Sequence, residues 1–316
     1  MMRALAFFAK AIISAALLFV VLRKMNLSDV WNTFQRAEAG WVAAIVAIFV
    51  AQIILGALRW GVIAVPCGLR LPEWAAVRYT FIGTFFNQLL PSTIGGDAAR
   101  IWYLARERGE WAGGTYSVFI DRVLGMLMLT LLVFTCMPWA FARITDPSAR
   151  TILALVGLVS LAGVTGFLAL SLLPAKWTDP LWGTRHLRET AAITWRVLAR
   201  PRVGGAVVAY SLAINLLSAL AWWCAARAIA SPLSLIDALL LVPPVTFIAT
   251  LPISIGGWGV REGAVVAAFG FAGLPPGDGL VMSFIFGLAG IAVGVLGGLF
   301  WIALPTADRK SSGNIR

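Results

Sequence analysis

The chain has 316 residues, of which 60% are hydrophobic and 12% are charged, and its mean hydropathy is +0.88. These values exclude a soluble globular domain and predict an all-α protein that crosses a membrane several times. The formal net charge of +11 is spread over short clusters of Lys and Arg between apolar runs. That pattern is typical of loops on the inner face of a membrane and not of a nucleic-acid-binding surface, so we expect no nucleic-acid partner.

Composition also argues against metal and thiol chemistry. The cysteines Cys67, Cys136 and Cys224 are isolated and His186 is the only histidine, so the sequence has no zinc-ligand spacing and no Cys/His nucleophilic pair. It also has no Walker A loop, no GxSxG motif and no HExxH motif. We expect no metal, no cofactor and no catalytic residue, and an enzymatic activity stays an open alternative.

Six apolar runs are long enough to cross about 30 Å of hydrocarbon as helices. They lie at residues 4–22, 41–65, 115–142, 149–174, 203–230 and 277–304. Two further apolar regions, 73–110 and 234–274, are each interrupted by paired glycines and by a proline, Pro91 or Pro252. Interrupted segments at corresponding positions of two halves indicate the substrate site of a transporter. We predict two re-entrant helical hairpins; the alternative is that both regions cross fully and give eight or more helices.

The two interrupted regions are similar to each other. The segments "LPSTIGGDAAR" (90–100) and "LPISIGGWGVR" (251–261) share Leu, Pro, Ile, Gly, Gly and Arg at an offset of 161 residues. This match predicts a duplication, with a first membrane repeat at 1–145, a second at 146–304 and a short tail at 305–316.

The positive charges indicate an orientation. With the N-terminus inside, seventeen Lys and Arg residues lie on the inner side and seven on the outer side, while Arg122 lies within a span. Each half then has three crossings and one hairpin, and the odd number of crossings inverts the second half. We therefore predict an inverted repeat in the cell inner membrane with both termini in the cytoplasm. The basic linker 175–202 would be cytoplasmic, either as an amphipathic helix on anionic headgroups or as an ordinary loop.

Polar residues of the two hairpins and of the span at 115–142 are the candidate substrate site. The turns require glycine and burial within the protein, and the half-helix after each turn offers unpaired N–H groups and a positive dipole end. Together with the arginines, these helix ends would form a pocket for a phosphate. The predicted substrate-binding residues are Gly95, Gly96, Asp97, Arg100, Asp121, Arg122, Gly256, Gly257, Arg261 and Glu262.

The charges also have structural alternatives. Asp97 could cap the second half-helix of its hairpin. Asp121 could pair with Arg122, or Arg122 could extend to the cytoplasmic surface. Arg261 and Glu262 present the same choice between a structural pair and a functional site.

Two further groups of residues are expected to hold helices together. The amides of Gln52, Asn87 and Asn215 lie within apolar regions and are interpreted as hydrogen bonds between helices rather than as ligands. In the last span, glycines recur at four-residue spacing and predict a close-packing face, formed by Gly290, Gly294 and Gly298.

Three motifs in order, "NQLLPSTIGGDAARIWYL", "SVFIDRVLGML" and "TLPISIGGWGVREGAV", together with "LRW" at 58–60, resemble the lysylphosphatidylglycerol synthase transmembrane-region family. This family is also described as flippase-like. In its best-studied members the membrane region is joined to a soluble domain that aminoacylates phosphatidylglycerol, and the membrane region is implicated in moving the lipid between leaflets. Only about a dozen residues follow the last predicted span, so we expect a stand-alone member and do not carry over the synthase activity.

The resemblance implies that the protein translocates an anionic lipid or a polyprenyl-phosphate-linked lipid, with membrane lipids as its partners. The alternative is a membrane-embedded enzyme, or an accessory subunit that works with a soluble or membrane transferase in lipid or glycan modification. The last span departs from the family pattern, because "SFIFGLAG" stands where a basic residue is expected. A role for that span in binding a headgroup is therefore not carried over.

Overall fold

The structure is a computed structural model that describes residues 18–20, 22–23, 25–89, 95–143, 146–174 and 182–303. All regular secondary structure in these ranges is helical. Residues 18–20 and 22–23 are helical. The helices that follow are α1 (Leu27–Gln35), α2 (Ala39–Ala64), α3 (Glu73–Leu89), α4 (Gly95–Arg108), α5 (Trp111–Arg143), α6 (Pro147–Ala169), α7 (Trp182–Ala199), α8 (Pro201–Ala228), α9 (Leu235–Thr250), α10 (Val260–Phe271) and α11 (Pro276–Ala303).

Five helical segments of the described residues are long and apolar enough to cross a membrane. They are Ala39–Cys67, Trp111–Ala142, Arg150–Leu172, Pro201–Ala228 and Pro276–Ala303, and they contain α2, α5, most of α6, α8 and α11. These segments match five of the six predicted spans and confirm a polytopic α-helical membrane protein. The first predicted span, 4–22, lies mostly outside the described residues.

The spans α2 and α8 pack against each other in opposite directions. Near the start of α2, the Trp41 ring packs edge-on against Trp223 near the end of α8, with 5.7 Å between ring centroids. Further along, Gln52 Nε2 donates a hydrogen bond to the carbonyl oxygen of Ile214 at 2.9 Å. This bond confirms the predicted helix-to-helix role of Gln52 and links the first half of the chain to the second.

The first interrupted region forms two antiparallel helices, α3 and α4. Asn87 near the end of α3 accepts a hydrogen bond from the N–H of Gly96 at 2.8 Å, and Tyr79 stacks on Tyr103 with 5.9 Å between ring centroids. At 1.5 Å per residue, these helices of 17 and 14 residues are about 25 and 21 Å long, which is shorter than a full crossing. Whether the hairpin enters and leaves on one membrane face stays a prediction.

The second interrupted region is also a pair of short helices, α9 and α10, which pack against each other. The segments 90–94 and 251–256, which hold Pro91, Pro252 and Gly256, lie outside the described residues.

The basic linker contains a helix rather than only a loop. Helix α7 spans Trp182–Ala199 and packs against α5, α6 and α8 with a buried face that includes Thr190, Ala191, Thr194 and Val197. Trp195 and Arg196 are on the exposed face. The helical alternative for this linker is therefore correct, and its contact with lipid stays a prediction.

Close packing of α11 on α3 depends on glycine. A Cβ atom on Gly297 would lie 2.1 Å from the carbonyl oxygen of Phe81, and one on Gly294 would lie 2.8 Å from the Gln88 side chain. Gly290 and Gly298 also face α3 at short distances. The predicted glycine face is confirmed, and Gly297 is the position where the two backbones come nearest.

Replacement of Gly297 by alanine should push α11 away from α3. Overpacking of this kind costs about 1–3 kcal/mol, so the G297A protein should melt at a lower temperature in detergent than the wild type. The matched control is G163A in α6, where a Cβ atom would meet no atom within 4 Å. Alanine is the better helix former, so G163A should melt no lower than wild type. Equal melting temperatures for the two variants would contradict the close-packing role of Gly297.

Candidate functional site

A polar cavity of about 480 Å³ lies between helices of the two halves. Its walls come from α2, α3, α4, α5, α8, α9 and α11 and from the segment at the start of α10. The charged side chains that line it are Arg59, Asp97, Arg100, Asp121, Arg122 and Arg261, and the amides are Gln52, Asn87, Gln88 and Asn215.

Asp121 is the centre of the first charged cluster. It lies within α5, is almost fully buried, and accepts a hydrogen bond from Arg59 Nε at 2.9 Å. Its second oxygen, Oδ2, is 3.4 Å from Arg100 Nη2. Arg59 also donates to the Ser211 hydroxyl at 3.0 Å. One carboxylate and its arginine partners therefore connect α2, α4, α5 and α8.

Asp97 is the second carboxylate of this cluster. Its Oδ2 accepts a short hydrogen bond from Arg122 Nε at 2.6 Å, and its Oδ1 is 3.4 Å from Arg100 Nη1. The Arg122 side chain is 40% exposed and the Asp97 side chain 12%, so this pair reaches from the interior toward the open part of the cavity. We name these five residues, Arg59, Arg100, Arg122, Asp97 and Asp121, the anion cluster, because they form the candidate site for an anion.

Arg100 is held differently from the other two arginines. Its guanidinium lies over the Trp60 ring, 4.1 Å from the ring centroid, and Trp60 Nε1 donates to Ser117 Oγ at 3.1 Å. Its contacts to carboxylates are 3.4–3.5 Å long, beyond the 2.7–2.9 Å of a strong charged hydrogen bond. Its buried Nε has no hydrogen-bond partner among the residues that the structure describes. The guanidinium is thus fixed by the indole and weakly engaged by the carboxylates.

A second charged cluster lies at the start of α10. Arg261 Nη2 is 2.7 Å from Glu262 Oε1, and Arg261 Nε donates to Ser283 Oγ at 2.8 Å. Glu262 is fully buried and also accepts a hydrogen bond from the N–H of Gly259 at 2.6 Å. The Arg261 guanidinium lies 4.9 Å from the Trp258 ring centroid. Arg261 and Glu262 therefore form a direct ion pair, which is the structural alternative considered for them.

Two structural alternatives for the first cluster are wrong. Asp97 does not occupy the cap position of α4, because that helix includes Gly95 and Gly96 before it and both Asp97 oxygens face arginines. Asp121 pairs with Arg59 and Arg100, while Arg122 pairs with Asp97 instead of with its neighbour.

The predicted turn glycines have structural roles. Gly95 and Gly96 are buried in the first turn of α4, where a Cβ atom on Gly96 would lie 2.2 Å from the carbonyl oxygen of Gly83. The N–H of Gly96 donates to Asn87, so this group is not among the unpaired donors that the sequence predicts at the helix end. Gly257 adopts φ of 81° in the turn before α10, a conformation that favours glycine. The arginines of the lining present positive charge to the cavity.

The sequence prediction missed four residues of the site. Arg59 is one of the seventeen Lys and Arg residues that the charge pattern assigns to the inner side, although it lies inside the apolar run 41–65. An ionisable residue within a span is a reason to suspect a site. Trp60 belongs to the "LRW" motif, but no pattern in the sequence indicated its stacking with Arg100. Ser211 and Ser283 are single hydroxyls in long spans and gave no signal.

Substitution of Asp121 by asparagine should destabilise the protein strongly. Arg59 and Arg100 would lose their shared buried counter-charge, and removal of one partner of a buried pair costs about 3–5 kcal/mol. Thermal unfolding in detergent measures the loss. The control is D29N on the exposed surface of α1, where a change of about 0.5 kcal/mol or less is expected.

A double substitution separates charge from packing. Addition of R59Q to D121N restores the original excess of one positive charge in the anion cluster, so the double variant should recover part of the lost melting temperature. A double variant that is as unstable as the sum of its single changes would contradict the charge-pairing role.

Comparison with known proteins also indicates a membrane protein. The family model described as lysylphosphatidylglycerol synthase TM region matches residues 7–298, which is nearly the whole chain. No curated protein and no solved structure matches the chain. The match over residues 7–298 includes every helix that lines the polar cavity and nearly all of the last span. The chain therefore belongs to the lysylphosphatidylglycerol synthase transmembrane-region family.

Proposed function

We propose that the protein translocates an anionic lipid, or a polyprenyl-phosphate-linked lipid, across the cell inner membrane by binding its phosphate in the polar cavity. Membership of a membrane family related to lysylphosphatidylglycerol synthase supports a lipid-related function. The chemistry of the cavity supports the choice of an anionic headgroup.

The observation that carries the proposal is the surplus charge at Arg100. Among the described residues of the anion cluster, three arginines face two carboxylates. Arg59 pairs closely with Asp121 and Arg122 pairs closely with Asp97, so the surplus cation is Arg100. A buried charge without a full counter-charge is costly, and a phosphate would supply the missing negative charge and a hydrogen-bond acceptor for the buried Nε.

The arrangement of the charged clusters supports movement in addition to binding. The Arg261 guanidinium lies 5.7 Å from the Phe286 ring centroid, and Phe286 packs edge-on against Phe49 of α2 at 4.6 Å. Arg59 follows Phe49 by ten residues in the same helix, which corresponds to about 15 Å along the helix axis. The arginines that line the cavity are thus spread along the axis of α2, with Arg261 near Phe49 and Arg59 further along.

Helix positions support the inverted repeat. The offset of 161 residues carries Glu73–Leu89 onto 234–250, next to α9 at Leu235–Thr250. The same offset carries α2 close to α8, and α5 close to α11. The correspondence agrees with repeats at 1–145 and 146–304.

Packing partners repeat in the same way. Helix α3 packs against α11, and its counterpart α9 packs against α5, which is the counterpart of α11. The counterparts α2 and α8 are themselves antiparallel neighbours. A two-fold axis in the membrane plane relates elements in this manner, and transporters with such repeats use them for alternating access. With the charge distribution, this supports cytoplasmic positions for both termini.

The enzymatic alternative is less well supported by the carboxylates. Asp97, Asp121 and Glu262 each accept hydrogen bonds from an arginine, and these contacts favour a positioning role for the three carboxylates. An enzyme would change the lipid chemically. Mass spectrometry after incubation of the purified protein with phosphatidylglycerol should find only the starting lipid, whereas a new product would favour the enzyme.

The test of the proposed function uses R100Q in proteoliposomes. Wild-type protein should move fluorescent phosphatidylglycerol between leaflets. R100Q should move it more slowly by a factor of about ten or more, because a charged hydrogen bond contributes roughly 1.5–3 kcal/mol. Removal of Arg100 leaves two arginines and two aspartates in the anion cluster, so the variant should still fold.

The matched control for R100Q is R106Q, which changes an exposed arginine on the same helix. R106Q should translocate phosphatidylglycerol as wild type does. Equal rates for R100Q and wild type would contradict the site. Equal wild-type rates for phosphatidylglycerol and phosphatidylcholine analogues would contradict the selection of an anionic headgroup.

A further inference from the structure

Trp258 separates two cavities of opposite chemistry. On one side it lines the polar cavity and lies over Arg261. On the other side it lines a second crevice of about 440 Å³, and its ring is stacked with Phe284 at 6.3 Å between centroids. A single indole therefore forms part of the wall of both spaces.

The second crevice, which we name the α1 crevice, is apolar throughout. It lies between α1 and α11, and its lining is Leu22, Leu27, Val30, Trp31, Phe34, Trp258, Phe284 and Leu288. Leu27, Trp31 and Leu288 are each about half exposed, so the crevice is open at the surface. None of the described residues that line the crevice is charged.

Helix α11 presents different faces to the two spaces. Phe284 and Leu288 face the α1 crevice, while Gly287 and Gly290 face the polar cavity. A Cβ atom on Gly287 would lie 2.7 Å from the Trp258 ring and 2.8 Å from Arg261 Nη2. Glycine at this position therefore allows the indole and the guanidinium to lie directly against α11, where the apolar and the cationic spaces adjoin.

We propose that the α1 crevice binds one acyl chain of the lipid whose phosphate is held in the polar cavity. The inference rests on the proposed function, and it adds that the protein recognises the chain as well as the headgroup. An amphiphile with an anionic group joined to an alkyl chain matches a cationic cavity that shares a wall with an apolar crevice. Affinity would then depend on chain length, because a longer chain makes more van der Waals contacts with the wall of the crevice.

The test compares two leucine-to-tryptophan variants of α11. L288W places a large ring in the α1 crevice, whereas L299W makes the same change at an exposed position that does not line it. Native mass spectrometry of the full chain in detergent measures binding of dioleoyl and dihexanoyl phosphatidylglycerol. We expect L288W to weaken binding of the dioleoyl lipid about tenfold or more and to leave binding of the dihexanoyl lipid nearly unchanged. L299W should bind both lipids as wild type does.

The outcomes distinguish this inference from the proposed function. Equal binding of dioleoyl lipid by L288W and L299W, with normal binding of dihexanoyl lipid, would overturn the acyl-chain site and leave the headgroup site intact. If the wild-type protein binds neither lipid, or if R100Q binds both lipids as the wild type does, the proposed function itself is overturned. A change of oligomeric state in L288W without a change in lipid binding would identify the crevice as a contact between copies of the chain, and would also overturn the acyl-chain site.

Discussion

Charge in a hydrocarbon environment is the constraint on which this structure depends. An ion that leaves water for a medium of low dielectric loses several kcal/mol of solvation, and only a close counter-charge with good geometry offsets that cost. The Asp121 carboxylate is the close counter-charge of Arg59 and a more distant counter-charge of Arg100. Displacement of α2, α4 or α5 would separate these buried charges, and displacement of α8 would remove the Ser211 hydroxyl that accepts from Arg59. The ion pairs therefore fix how the helices are arranged around the cavity.

The charges can meet only because the hairpin backbones approach closely. Gly83 and Gly96 bring α3 and α4 together at a distance that no larger side chain would allow. Arg100 lies one turn after Gly96, and its side chain also packs near Gly83 before reaching the Trp60 ring. On the other side of α3, Gly294 and Gly297 perform the same function for α11. Small residues thus position the large charged ones, as is common where helices pack inside membranes.

Local sequence patterns were sufficient for an all-helical membrane protein and for several charged residues that line the polar cavity. Hydropathy identified five described spans, and Pro and Gly marked the interruptions between α3 and α4 and between α9 and α10. Arg100, Asp121 and Arg122 were singled out because charges are rare within apolar segments. The partners of those charges were not predictable, since Arg59 and Asp121 are 62 residues apart and meet only in the folded protein. Asp97 could be distinguished from a helix cap only by the arginines that reach it.

The two halves of the chain place their charged residues differently, although their helices lie at similar positions in the sequence. The offset of 161 residues equates Arg100 with Arg261, and it equates Asp121 with Met282. The carboxylate that neutralises Arg261 is the adjacent Glu262, whereas Arg100 shares distant carboxylates with two other arginines. The charge of Arg261 is therefore neutralised by its neighbour Glu262. The excess positive charge of the cavity lies in the first half of the chain, in the anion cluster. Under the proposed function, an anionic headgroup would meet unequal attraction at the two ends of the cavity, a difference that arises from charge placement and requires no difference in fold.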